Sequence, residues 1–134
     1  MSDMNRRMRY LDKLRHIDRR ISNIRRWLPE LGDEKTKLAI YKAFQEIVEA
    51  IFDIIAMKLV DLRIPPKDNY ANLEELERRG MMEGSLLDTL REANGLRNRL
   101  VHSYNTLSDE IALKSIELLL PKLERVREVM EGWI

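Results

Sequence analysis

Apolar residues recur at Met4, Met8, Leu11, Leu14, Ile17, Ile21, Ile24 and Leu28. Spacings of three and four put them on one face of a helix, so the chain opens with one long amphipathic helix, ended by Pro29 and Gly32. Asp33 is placed to cap the next helix, with Glu34 in its first turn. That second helix carries the denser stripe: Ile40, Phe44, Ile47, Val48, Ile51, Ile54, Ile55, Leu59 and Leu62. A face that wide predicts the most buried helix of the set. Pro65 and Pro66 stop it, and residues 64–72 (IPPKDNYAN) read as a loop. Residues 73–79 (LEELERR) form a short helix closed by Gly80.

Ser85 opens a further helix, with Asp88 three residues on in a capping-box arrangement. Leu86, Leu90, Ala93, Leu96 and Leu100 continue its face through Asn94-Gly95 without a phase break, so the pair is read as helix in spite of its turn chemistry. Ser108 caps a last helix with Asp109 and Glu110 in its first turn. Its apolar positions run from Ile111 to Met130, and Pro121 is expected to kink or break it. No segment alternates with period two, and no internal repeat is found. The prediction is an all-α, up-and-down helical bundle of four main helices plus a short one. Its wide apolar faces suggest a two-fold dimer.

Composition narrows the function classes. The 134 residues fit one domain, 1–134. The absence of cysteine removes disulfides, thiol catalysis and thiolate metal sites. No apolar run reaches the roughly 18 residues of a membrane span, so no membrane association is expected. The first residues show no hydrophobic signal region, and a cytoplasmic location is the expectation. A net charge of +1 hides an asymmetry. Residues 1–30 carry nine Lys/Arg against four acids, and the remainder carries fifteen against nineteen. Such a basic segment fits either a phosphate footprint or a solvated helix face.

The densest chemistry lies in RNRLVHSY, residues 97–104. Arg97 and Tyr104 are seven apart and share a helical face, and Asn98 lies one turn before His102. Arg97 and His102 are five apart, roughly 140° around an ideal helix. They converge only if the helix ends near His102 or if a symmetry mate brings its own copy alongside. A histidine exchanges protons near neutrality, and an arginine holds phosphate and stabilises developing negative charge. Those parts suffice for metal-free RNA cleavage by 2′-hydroxyl attack. The ordinary alternative is a helix-end histidine beside a surface Arg and Tyr. The acids are spread over the chain, so no metal cage and no cofactor are expected, and there is no Gly-rich phosphate loop. His16 lies among arginines on the first helix, with no carboxylate triad logic around it. Trp27, Trp133 and the methionines suit packing.

Arg97, Asn98, His102 and Tyr104 in the form RNRLVHSY resemble the signature of the HEPN superfamily, and more narrowly of HepT-like toxins. YKAFQEIVEAIFDIIAMKLV resembles that family's second helix, IPPKDNYANLEELERRGMM its proline loop and short helix, and LLDTLREANGLRNRLVHSY its motif helix. The resemblance implies an all-helical homodimer acting as a metal-independent endoribonuclease, the toxin of a toxin–antitoxin system. Arg97 and His102 would be the catalytic pair, with Asn98 and Arg99 supporting them and RNA as substrate. Tyr104 would be the residue to which the partner, an MNT-type nucleotidyltransferase antitoxin, adds AMP to silence the toxin. Glu46, Glu49 and Asp53 lie on the second helix where relatives often carry polar residues, but they match no strict motif and read as solvation. The alternatives are a non-catalytic HEPN subunit that binds nucleotide or a nucleotidyltransferase, or a dimerisation bundle.

Overall fold

The computed structural model describes residues 2–102 and 108–134. Helix α1 spans Ser2–Trp27 and runs into a 3-10 turn over Leu28–Glu30. Then follow α2 (Glu34–Asp61), α3 (Asn69–Arg78), α4 (Gly84–His102) and α5 (Asp109–Glu131), with no strand among the described residues. Ion pairs fix the relative directions. Arg6 meets Asp61, Lys13 meets Asp53 and His16 meets Glu46, so α1 and α2 run antiparallel. Arg25 with Glu124 and Arg127 with Asp18 make α5 antiparallel to α1.

The core forms along α2, as its dense stripe predicts. Phe44, Ile47, Ile51, Ile54 and Ile55 are wholly buried, against Leu14, Ile17 and Ile24 of α1 and the buried leucines of α4 and α5. Complete burial of one such side chain stabilises the fold by about 1.5–3 kcal/mol. The early part of the α1 stripe differs from expectation. Met4 and Met8 are exposed, and Tyr10 is buried in their stead. A tyrosine can do this because its hydroxyl donates to the Asp61 carboxylate at the bundle's end.

The caps decide the boundaries. The backbone N–H of Thr36 donates to Asp33 Oδ1 at 2.7 Å and that of Ile111 to Ser108 Oγ at 3.5 Å, so both expected caps are present. Helix α3 begins four residues before its expected start, because Asp68 accepts from the backbone N–H of Ala71 at 2.8 Å and converts half of the presumed loop into a first turn. The Ser85–Asp88 capping box does not form. Glu83 supplies the first helical carbonyl, Ser85 donates to the Glu83 carboxylate, and Asp88 pairs with Arg91 instead. Gly80 closes α3 at φ 64°.

Helix α2 ends in a Schellman arrangement: the N–H of Ile64 donates to the carbonyl of Leu59 at 2.8 Å, and that of Arg63 to Val60 at 2.9 Å. Arg63 therefore occupies the left-handed region, at φ 62°, where glycine is usual. Helix α5 contains Pro121 and continues through it, so the expected break is absent. Pro121 and Glu117 are both exposed, which leaves water to serve the Glu117 carbonyl that proline cannot.

Helix α4 is continuous through Asn94-Gly95. Asn94 is buried and accepts at 3.1 Å from the Asn69 amide of α3. Leu86, Leu87, Leu90, Ala93 and Leu96 are already hidden within one chain. The exposed large apolar side chains lie elsewhere, among them Val60 on α2 and Ile111 and Leu118 on α5. The apolar face of α4 is thus no argument for a dimer.

Candidate active site

Burial of the leucine face of α4 against α2 sets the rotation of the last two turns of α4, and with it the place of Arg97. Its side chain is about one quarter exposed and leans onto α2. Nη1 donates to Asn98 Oδ1 at 3.1 Å, and Nη2 lies 3.6 Å from Glu49 Oε1. Nε is buried and meets no acceptor among the described residues. A guanidinium offers five N–H donors, and this one has a single hydrogen bond and one loose ion pair within the described chain.

His102 is the last residue of α4 and is exposed, as is Arg99, whereas Asn98 is half-buried beside Arg97. No hydrogen bond joins Arg97 to His102 among the described residues, in keeping with their angular separation. Asn98 is brought to Arg97. Tyr104 lies outside the described residues.

The acids of α2 behave differently from the solvation expected of them. Glu46, Glu49 and Asp53 follow one another at helical spacing and each holds a cation. Glu46 Oε1 is 2.9 Å from Arg20 Nε and also 2.9 Å from His16 Nε2. Asp53 pairs with Lys13 at 3.3 Å, and Glu49 reaches across to Arg97. Partial burial works against the charge on Glu46. The Arg20 hydrogen bond, with the positive charges of Arg20, His16 and Lys42, outweighs it and holds the carboxyl below its ordinary value. Between α1 and α2 these side chains line an open cleft of about 310 Å³ that includes His16, Glu46, Glu49 and Asp53. Sequence reasoning missed the carboxylate partner of His16 because it stands on another helix. The one signal that could have found it is the position of Glu46 on the polar face of α2, midway along a helix that had to run antiparallel to α1.

Among the described residues no group of three or more His, Asp or Glu is placed to hold a metal ion, and no helix is long and apolar enough to cross a membrane.

Two relatives from Archaeoglobus fulgidus, both named as proposed RNases, are 38 % and 36 % identical, the first over 94 % of this chain and 96 % of its own length, the second over 92 % and 89 %. Two solved structures share the fold. A toxin–antitoxin pair with AMP-PNP matches with a TM-score of 0.84 at 21 % identity, over 91 % of this chain and 97 % of the matched chain. A tri-AMPylated HEPN toxin of Shewanella oneidensis in complex with MNT antitoxin matches with a TM-score of 0.85 at 22 % identity, over 92 % and 97 %. The family model described as "Ribonuclease HepT-like" matches residues 9–130. By that match and by its relatives, the chain belongs to the HepT-like ribonuclease family.

Proposed function

We propose that this protein is a metal-independent endoribonuclease and the toxin of a toxin–antitoxin pair, acting as a homodimer on cytoplasmic RNA. The observation that carries the reading is the guanidinium of Arg97, whose buried Nε has no acceptor among the described residues. A partly buried arginine with donors to spare is costly to the fold, and a phosphate supplies the missing acceptors in the planar geometry that arginine matches. Glu49 and Asn98 hold Arg97 in place until then.

In this mechanism Arg97 takes the scissile phosphate and stabilises the charge that builds on it. His102, exposed at the end of α4, exchanges a proton with the reacting oxygens, and Arg99 contributes a cation along the strand. The 2′-oxygen attacks the adjacent phosphorus and the 5′-oxygen leaves, giving a 2′,3′-cyclic phosphate. A two-fold dimer would bring two copies of the motif to one groove, which offsets the separation of Arg97 and His102 around a single helix. Light scattering at micromolar concentration is expected to give twice the chain mass, and a monomer there would count heavily against the composite groove.

Cleavage of RNA with EDTA present, with cyclic-phosphate ends identified by mass spectrometry, tests the chemistry. Loss of cleavage on chelation would sink the metal-free mechanism. A protein that binds nucleotide or a nucleotidyltransferase and cleaves no RNA would support the non-catalytic HEPN reading instead.

Control is assigned to Tyr104 and to a partner of the MNT nucleotidyltransferase type, in line with the toxin–antitoxin complexes among the structural neighbours. AMP on the phenol adds negative charge and bulk where RNA phosphate must sit. Each transfer should add about 329 Da to the peptide containing Tyr104. Tyr104→Phe should keep its activity and escape silencing by that partner with ATP. Modification and silencing of Tyr104→Phe would show the switch to be elsewhere.

A further inference from the structure

Glu49 differs from the two acids beside it on α2. Glu46 and Asp53 are each offset by a cation of α1, Arg20 at 2.9 Å and Lys13 at 3.3 Å. Among the described residues Glu49 pairs with Arg97 alone. Its Oε1 lies 3.6 Å from Nη2, too far for a hydrogen bond. The side chain of Glu49 is 43 % exposed, so the carboxylate stays open to a ligand that arrives at Arg97.

These distances bound what a phosphate meets. A phosphate oxygen bonded to Nη2 stands about 2.8 Å from that nitrogen. Whatever its direction, it is then within about 6.5 Å of Glu49 Oε1 while Glu49 keeps its place. That is shorter than the screening length of roughly 8 Å at physiological salt. Repulsion in water at such a separation weakens binding about two- to threefold for each unit of charge on the ligand. An internal phosphodiester of RNA carries one negative charge, whereas a terminal phosphomonoester carries nearly two. Arg97 alone would favour the doubly charged ester. Glu49 imposes the opposite preference and offsets it.

We propose that Glu49 is a specificity-determining residue. It sets the Arg97 site to the singly charged phosphodiesters within an RNA chain and against the doubly charged phosphates of chain ends and free nucleotides. The proposal rests on the ribonuclease reading above. Glu49 acts here through its charge and takes no proton from the substrate. Both residues belong to one chain, so each protomer of a dimer carries its own pair.

The test measures RNA cleavage against two inhibitors that share base and sugar. Uridine 3′-monophosphate is doubly charged above its second pKa of about 6, and uridine 2′,3′-cyclic phosphate is singly charged. The adenosine pair repeats the comparison with another base. Glu49→Gln keeps an oxygen that can face Arg97 and removes only the charge. It should lower the inhibition constant of the cyclic ester about two- to threefold and that of the monoester about four- to tenfold. Glu128→Gln makes the same change of charge near the far end of α5 and should move neither. Circular dichroism checks that each variant is folded, and nuclear magnetic resonance titration gives the same affinities for a variant that cleaves too slowly to assay. Equal changes for the two esters, no change, or weaker binding of both in Glu49→Gln overturn the assignment of Glu49, and so does the same shift in Glu128→Gln. The ribonuclease reading survives those results, because the parent protein still cleaves RNA. A parent protein that cleaves no RNA overturns that reading and the proposal with it.

Discussion

Arg127 on α5 and Arg97 on α4 are buried to a similar degree, with side chains 19 % and 27 % exposed. Arg127 donates through Nε and Nη2 to the two oxygens of Asp18, at 2.8 and 2.9 Å, and through Nη1 to Glu131. It closes the seam between α1 and α5, and each of its three nitrogens has an acceptor. Arg97 makes one hydrogen bond to its own neighbour and leaves Nε without an acceptor among the described residues. The two residues differ in what would complete them. Arg127 is complete once the chain has folded, whereas the donors of Arg97 call for an acceptor that the described chain does not supply.

The largest expected effect separates the two by activity. Arg97→Lys and His102→Ala should each lower RNA cleavage by roughly 10³-fold or more, since a point charge cannot replace the planar fork and the proton route is lost. Arg127→Lys should cleave at the parent rate. Single-turnover kinetics on one RNA would decide it, and a large loss in Arg127→Lys would break the comparison.

Stability should show the reverse. Arg127→Ala removes three hydrogen bonds to partly exposed carboxylates and should cost about 1–2 kcal/mol, discounted for solvent screening. Arg97→Met keeps the stem and removes an incompletely satisfied charge, so its denaturation midpoint in urea should not fall below the parent value. A clear destabilisation by Arg97→Met would mean that the residue is structural after all.

Acid titration sharpens the picture of the saturated pairs. The hydrogen bond from Arg25 to Glu124, and those of Lys37 and then Tyr41 to Asp109, hold both carboxyls below their ordinary values. A carboxyl lowered by folding contributes stability that is present above its unfolded value and is lost as pH falls through the folded one. The Tm should therefore stay level from neutrality down to about pH 5, and fall below the roughly 3.9–4.3 of free Asp and Glu. Calorimetry across that range would check it, and a fall beginning near neutrality would implicate other groups.

The smallest effect concerns a third arginine. Arg63 sits at φ 62° at the end of α2, a conformation that costs an L-residue about 1–2 kcal/mol. Part of that is returned to the more flexible unfolded chain when glycine replaces it. Arg63→Gly should stabilise by a few tenths to about 1 kcal/mol and leave RNA cleavage untouched. A loss of stability would mean that the Arg63 side chain makes a contribution beyond the turn.

The helices were readable from the sequence because period and punctuation are local. Asp33, Ser108 and Gly80 act within four residues of themselves, and each works as expected. What sequence reasoning lost was settled at longer range or by competition between neighbours. Asp68 outcompetes the loop chemistry of the prolines before it and starts α3 early. Ser85 and Asp88 each find a different partner, so the capping box fails. Tyr10 displaces Met8 from the core because Asp61, fifty-one residues away, accepts the hydrogen bond of its hydroxyl. At the candidate site, Asn98 meets Arg97 as its neighbour in the chain. The pairings of His16 with Glu46 and of Arg97 with Glu49 depend on how α1 and α4 lie against α2, which no spacing along one helix reveals.

The amide pair between Asn69 and Asn94 works as a key between two helices. Apolar contacts are non-directional and hold the alignment of α3 along α4 less strictly than a hydrogen bond does. A slid alignment would strand a buried amide on Asn94, at about 1–3 kcal/mol, and only one alignment escapes that. Asn94 stands one turn ahead of Asn98 and three residues before Arg97. The lock that sets the position of α3 is therefore cut into the same stretch of helix that carries the motif, so errors in one would be felt in the other.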